Sequence, residues 1–115
     1  MTLQQAIGKQ EGFGPAGTRA TRNHNPGNIR WGTFARLHGA TANDGAGYAV
    51  FRDDAAGWAA LTALLSNPPY ASLNVTQALN KYAPAADLNQ PSTYIADVCL
   101  WCDCAPTTPI ADLLG

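Results

Sequence analysis

Between Gly12 and Gly47 the chain is rich in glycine, its apolar residues are scattered, and Pro26-Gly27 and Asp44-Gly45 punctuate it with turns. A long helix does not fit that composition, and a stretch of this length inside a compact domain is not all structureless. Short strands over 29–31, 34–37 and 48–51 are the expected solution, paired in a small antiparallel sheet with Asn43-Asp44-Gly45 as turn chemistry. Such a sheet would form one wall of a groove. Within it, Asn25-Pro26-Gly27-Asn28 reads as a stiff type II turn, in which proline pre-sets one backbone angle and Gly27 supplies the positive one. Asn23, Asn25 and Asn28 carry amides that donate and accept. They suit hydroxyl and N-acetyl groups, or else they satisfy backbone groups of the loop.

Helical signals surround this stretch. Thr2 followed by Gln5 has the form of a capping box and starts a helix at Leu3. Asp53 or Asp54 caps a second, with Trp58, Leu61 and Leu65 on one face until Pro68-Pro69 ends it. Asn74 caps a third that turns Val75, Leu79 and Tyr82 inward before Pro84. Pro91 suits the first turn of a fourth carrying Tyr94, Ile95, Val98, Cys99 and Cys102, and Thr108-Pro109 opens a short terminal helix. The expected architecture is a single α+β domain over residues 1–115, mostly helical with a small antiparallel sheet.

Glu11 is the only glutamate in the chain. Leu3, Ile7 and Glu11 follow at i, i+4 and i+8, so the carboxyl shares a stripe with large apolar side chains and points inward. Gly12 can stop the helix in a left-handed conformation, leaving Glu11 near the negative end of the dipole. Partial burial and that dipole both disfavour the charged form, the condition for a general acid at neutral pH. The alternative is an ordinary solvated residue at a frayed helix end.

At 115 residues the chain is long enough for a core without metal or disulfide support. A formal net charge of −1 supplies no basic field for nucleic-acid phosphates. No stretch approaches a membrane span. Of the three cysteines, Cys99 and Cys102 follow Ile95 at i+4 and i+7 and are expected in the core. An odd count argues against a disulfide framework. A zinc centre of Cys99, Cys102 and Cys104 with His24 or His38 is the sharper alternative, against which tight spacing on a helix splays the thiols. No metal and no cofactor are expected.

The blocks Glu11-Gly12-Phe13, Arg22-Asn23-His24-Asn25-Pro26-Gly27-Asn28-Ile29-Arg30, Tyr48-Ala49-Val50-Phe51 with Gly57, Lys81-Tyr82-Ala83-Pro84, Asn89 and Tyr94-Ile95 run nearly the length of the chain. In order and spacing they resemble a small lysozyme-like family of phage- and prophage-associated muralytic proteins, similar to domains of bacterial cell-wall-degrading effectors. The resemblance implies cleavage of the β-1,4 bond between the alternating amino sugars of peptidoglycan, N-acetylmuramic acid and N-acetylglucosamine, with Glu11 matching the catalytic acid. One departure stands out: relatives often carry an acidic residue before the asparagine of the late block, whereas Leu88 precedes Asn89 here and Asp87 lies one place earlier.

Glu11 would protonate the glycosidic oxygen as an oxocarbenium-like state develops. Asp44, Asp53 and Asp54 are candidate second carboxylates, though turn and cap duties explain all of them. Without a second acid, Glu11 would act first as acid and then as base. The substrate's N-acetyl or 6-hydroxyl group then leads to hydrolysed or 1,6-anhydro ends, so muramidase and lytic transglycosylase stay equally open. The expected substrate contacts are Asn23, Asn25, Asn28, Arg30, Tyr48, Tyr82, Asn89 and Tyr94, with Trp31 or Phe34 stacking from the sheet side. Arg22 and Arg30 flank the turn and could meet wall carboxylates, while His24 reads as a loop hydrogen-bonder with nothing nearby in sequence to orient it.

The opening residues lack the basic and apolar regions of a secretory signal. A chain with this substrate would be made in the cytoplasm and reach the periplasm or cell wall through a virion, a pore or a secretion system, as a monomer, with delivery machinery or an immunity protein as partner. The rival class is a wall-binding or virion structural module without turnover. An amidase or peptidase is weaker, because no metal-ligand or thiol–imidazole arrangement is apparent.

Overall fold

The computed structural model describes residues 1–83 and 90–115. In chain order its elements are α1 (Leu3–Gln10), α2 (Arg19–Arg22), α3 (Thr33–Leu37), β1 (Ala40–Asn43), β2 (Ala49–Phe51), α4 (Asp54–Ser66), α5 (Val75–Tyr82), α6 (Pro91–Cys102) and a terminal 3-10 turn, Ile110–Asp112. Helices and a two-stranded antiparallel sheet make this an α+β chain. It divides into two compact units, Ile7–Leu64 and Met1–Ala6 with Leu65–Gly115.

The first unit holds the sheet. β1 and β2 pair with Ala40 opposite Phe51 and Asn43 opposite Ala49, the register shifting between Ala40 and Ala42. Ala49 and Phe51 point into a core with Ile7, Ala20, Ile29, Ala35, Ala60 and Leu61. α3 packs beside β1. Two sequence expectations fail here. Residues 34–37 lie in α3, a helix and not a strand, and the segment 29–31 contributes only an isolated bridge, Arg30 to Tyr48. The strand that pairs with β2 is β1, whose small residues lie largely exposed and carry no alternating apolar pattern.

α4 is capped as expected, the Ala56 N–H donating to Asp53 Oδ1 at 2.9 Å, and it stops just before Asn67-Pro68-Pro69. Gly57 sits on its buried face, where a Cβ would come within 2.0 Å of the His24 carbonyl oxygen and 2.8 Å of Pro26 Cδ. The absence of a side chain there lets the loop backbone lie directly on the helix.

In the second unit, Thr2 and Gln5 form the expected reciprocal cap of α1, at 3.0 and 3.2 Å. Asn74 and Gln77 do the same for α5. α5 packs against α6, burying Val75, Ala78 and Leu79 with Tyr94 and Val98. Pro91 opens α6 as expected. The chain end returns along this unit: Val75 N–H donates to Thr108 O (3.0 Å), Ile110 N–H to Leu73 O (3.0 Å), and Leu3 N–H to Leu113 O (2.8 Å). Cys99 and Cys102 in α6, and Cys104 just beyond it, are half-buried free thiols, so the core placement expected of Cys99 and Cys102 is only partial. Pro84, Asp87, Leu88 and Asn89 lie outside the described residues.

Candidate functional site

Glu11 follows the last helical residue of α1. Its N–H still donates to Ile7 O at 2.9 Å, and Gly12 then turns left-handed (φ 87°) to end the helix. Glu11 is half-buried. The chain beyond it is tied back at once, because the Thr18 hydroxyl bonds the Gly12 carbonyl (2.8 Å) and the Gly14 N–H donates to Thr21 Oγ1 (2.9 Å). Thr18 is also the N-cap of α2. Short hydroxyl side chains thus fix the exit from Glu11, a role the sequence reading did not assign.

The asparagine loop meets the carboxyl through one residue. Asn28 Nδ2 donates to Glu11 Oε1 at 3.1 Å and lies 3.3 Å from the Glu11 main-chain oxygen. Asn28 is left-handed, φ 47°. The turn is closed by Asn28 N–H on Asn25 O at 3.0 Å, yet the positive angle falls on Asn28, one place after Gly27, so the type II expectation is corrected. Asparagine tolerates this conformation better than most residues with a Cβ. Asn28 Oδ1 is buried and has no hydrogen-bond partner, which leaves the amide's donor side as the part in use.

The other asparagines are committed to the scaffold. Asn25 is fully buried: its Nδ2 donates to Ile29 O (3.0 Å) and Ala49 O (2.9 Å), and its Oδ1 accepts from Ile29 N–H (3.0 Å). With no exposed surface and its amide already used, Asn25 is a brace between loop and β2, and its expected substrate contact is withdrawn. Asn23 is 6% exposed and donates through Nδ2 to Asp44 Oδ2 (2.9 Å), so its amide too is turned inward.

Asp44 gathers the turn around itself. Besides Asn23 it accepts from Ala46 N–H (2.8 Å) and Tyr48 N–H (3.1 Å), and Arg19 Nε stands 3.6 Å away. The Asn23 amide, then the Ala46 N–H, hold its carboxyl below the ordinary aspartate value. Asp53 is spent on the α4 cap. Asp54 pairs with His24, Nδ1 to Oδ1 at 2.8 Å, so an orienting partner for His24 exists after all, thirty positions along the chain. Each candidate second carboxylate therefore has structural work.

Tyr48 is half-buried, with the Arg19 guanidinium 4.2 Å and the Arg30 guanidinium 4.4 Å from its ring centroid. Arg30 and Tyr48 also share the isolated bridge. Arg19 was not singled out by the sequence, since only the fold brings it to Tyr48. Phe34 stacks on His38 within and just beyond α3 (4.2 Å), not on a sheet face, and Arg36 lies 5.9 Å from the Trp31 ring.

In the other unit Tyr94 is fully buried, which removes it from any substrate surface; it stands edge-on to Tyr82 at 6.5 Å, and Tyr82 to Tyr70 at 6.1 Å. Among the described residues no group of three or more His, Cys, Asp and Glu could hold a metal ion. No helix of the described residues is long and apolar enough to cross a membrane. No family model matches the chain, and neither a curated protein nor a solved structure matches it.

Proposed function

We propose that the chain cleaves the β-1,4 bond between N-acetylmuramic acid and N-acetylglucosamine in peptidoglycan, with Glu11 as general acid and then general base. The observation that carries this reading is the half-buried Glu11 carboxyl held by the Asn28 amide at 3.1 Å. It is joined by the resemblance of the Glu-Gly and Asn-Pro-Gly-Asn blocks to the lysozyme-like muralytic family. Glu11 protonates the leaving oxygen as positive charge grows on the sugar. Its carboxylate then takes a proton from water, giving a reducing end, or from the muramic 6-hydroxyl, giving a 1,6-anhydro end. Asp44, Asp53 and Asp54 are occupied by turn, cap and His24, which favours a mechanism resting on one carboxyl. The Arg19 and Arg30 guanidiniums stand over the Tyr48 ring, cationic groups suited to the lactyl or peptide carboxylates of the wall.

Purified sacculi incubated with the protein should lose turbidity and release muropeptides whose masses carry reducing or anhydro ends. Co-sedimentation without solubilised fragments would replace this reading with a wall-binding or virion structural module, and new peptide ends would indicate an amidase or peptidase.

Asn28 gives the reading a sharper form. Asn28→Gly suits the left-handed backbone and deletes the amide. This variant should clear sacculi more slowly than wild type while still co-sedimenting with them. Clearing at the native rate would mean that Asn28 serves only the loop.

A further inference from the structure

α6 ends in a Schellman-type cap. Asp103 is left-handed (φ 51°), its N–H reaches the Cys99 carbonyl, and the Cys104 N–H donates to the same oxygen at 3.1 Å. That six-residue ring places the side chains of its first and last residues side by side, where an apolar contact is usual. Here both positions are cysteine. The Cys104 thiol is pushed up to about 11, by burial first and by the neighbouring Cys99 next. Cys102 is turned elsewhere, its Sγ lying 3.6 Å from the Thr2 carbonyl.

We propose that Cys99 and Cys104 are an oxidation site that closes into an intramolecular disulfide across this cap, by exchange with an external disulfide such as glutathione disulfide. One protein thiolate attacks the external S–S bond and expels one thiol; the second protein sulfur attacks the resulting mixed disulfide and expels the other. The two protein thiols give up two protons and two electrons, and the external disulfide is reduced to two thiols. The cap supplies the proximity.

The bond would join the end of α6 to the segment that caps α5. Just beyond Cys104, the Pro106 carbonyl accepts from the Thr76 N–H (3.0 Å) and hydroxyl (2.9 Å), and the Thr108 carbonyl from Val75 N–H. This inference is independent of the chemistry at Glu11.

The test titrates the reduced full chain with glutathione disulfide and follows intact mass. Wild type and Cys102→Ser should each lose the mass of two hydrogens. Cleavage before aspartate separates residues 97–102 from 103–111, and these peptides should remain joined until reductant is added. Cys99→Ser and Cys104→Ser should fail to lose two hydrogens and carry glutathione adducts instead. The proposal is overturned if Cys102→Ser keeps its thiols across the titration, or if Cys99→Ser still yields joined peptides through Cys102.

Discussion

Glu11→Gln is expected to lower the rate of sacculus clearing by roughly a hundred- to ten-thousandfold, the range that positioned proton transfer contributes. The substitution is a narrow one. Gln keeps the length and shape of the side chain and retains an oxygen for Asn28 Nδ2, which lies 3.1 Å from Glu11 Oε1 in the native protein. What disappears is the exchangeable acid proton. Because the carboxyl is only half-buried at the end of α1, the variant should fold with a wild-type melting temperature and should still co-sediment with sacculi. Retained binding with lost clearing separates chemistry from recognition. Clearing at the native rate would remove Glu11 from the mechanism, and with it the reason for reading Asn28 as its partner.

The helix boundaries were legible because they rest on local chemistry. Thr2 with Gln5, Asn74, Asp53, Gly12 and Pro91 each do in the fold what their position in sequence implies, since a cap needs only its own turn. The sheet was not legible for the opposite reason. β1 is built from Ala40, Thr41, Ala42 and Asn43, mostly exposed, so no alternation announces it, while the more apolar 34–37 segment closes into α3.

The site divides in the same way. Glu11 was singled out by its helical register, and the asparagine loop by its turn residues. Which amide faces the carboxyl and which braces the scaffold depends on partners far along the chain. Asn25 is taken by Ala49, Asn23 by Asp44, and only Asn28, left-handed where Gly27 was expected to be, turns its amide to Glu11. His24 with Asp54 and Arg19 with Tyr48 were invisible on the same ground, for each pair is joined by folding alone.

Gly57→Ala should be the most damaging small substitution in the unit that carries Glu11. In a helix interior, alanine ordinarily stabilises over glycine by about 1 kcal/mol, so propensity alone forecasts a gain in α4. Packing reverses the sign. The new methyl would stand 2.0 Å from the His24 carbonyl oxygen and 2.8 Å from Pro26 Cδ, atoms of main chain and ring that cannot rotate aside. The loop has to withdraw, straining the Asn25 brace to Ile29 and Ala49. Overpacking of this kind costs about 1–3 kcal/mol, and a contact so short belongs at the upper end, which corresponds to a fall in melting temperature of roughly 10 °C. Gly8→Ala is the matched comparison: its closest approach, 2.7 Å, is to the edge of the Trp58 ring, a side chain that can shift against Phe13. The two variants gain the same propensity, so Gly57→Ala should melt well below Gly8→Ala. Equal melting temperatures would mean that the loop is not seated on α4 as closely as the geometry requires, and that the placement of Asn28 beside Glu11 does not depend on it.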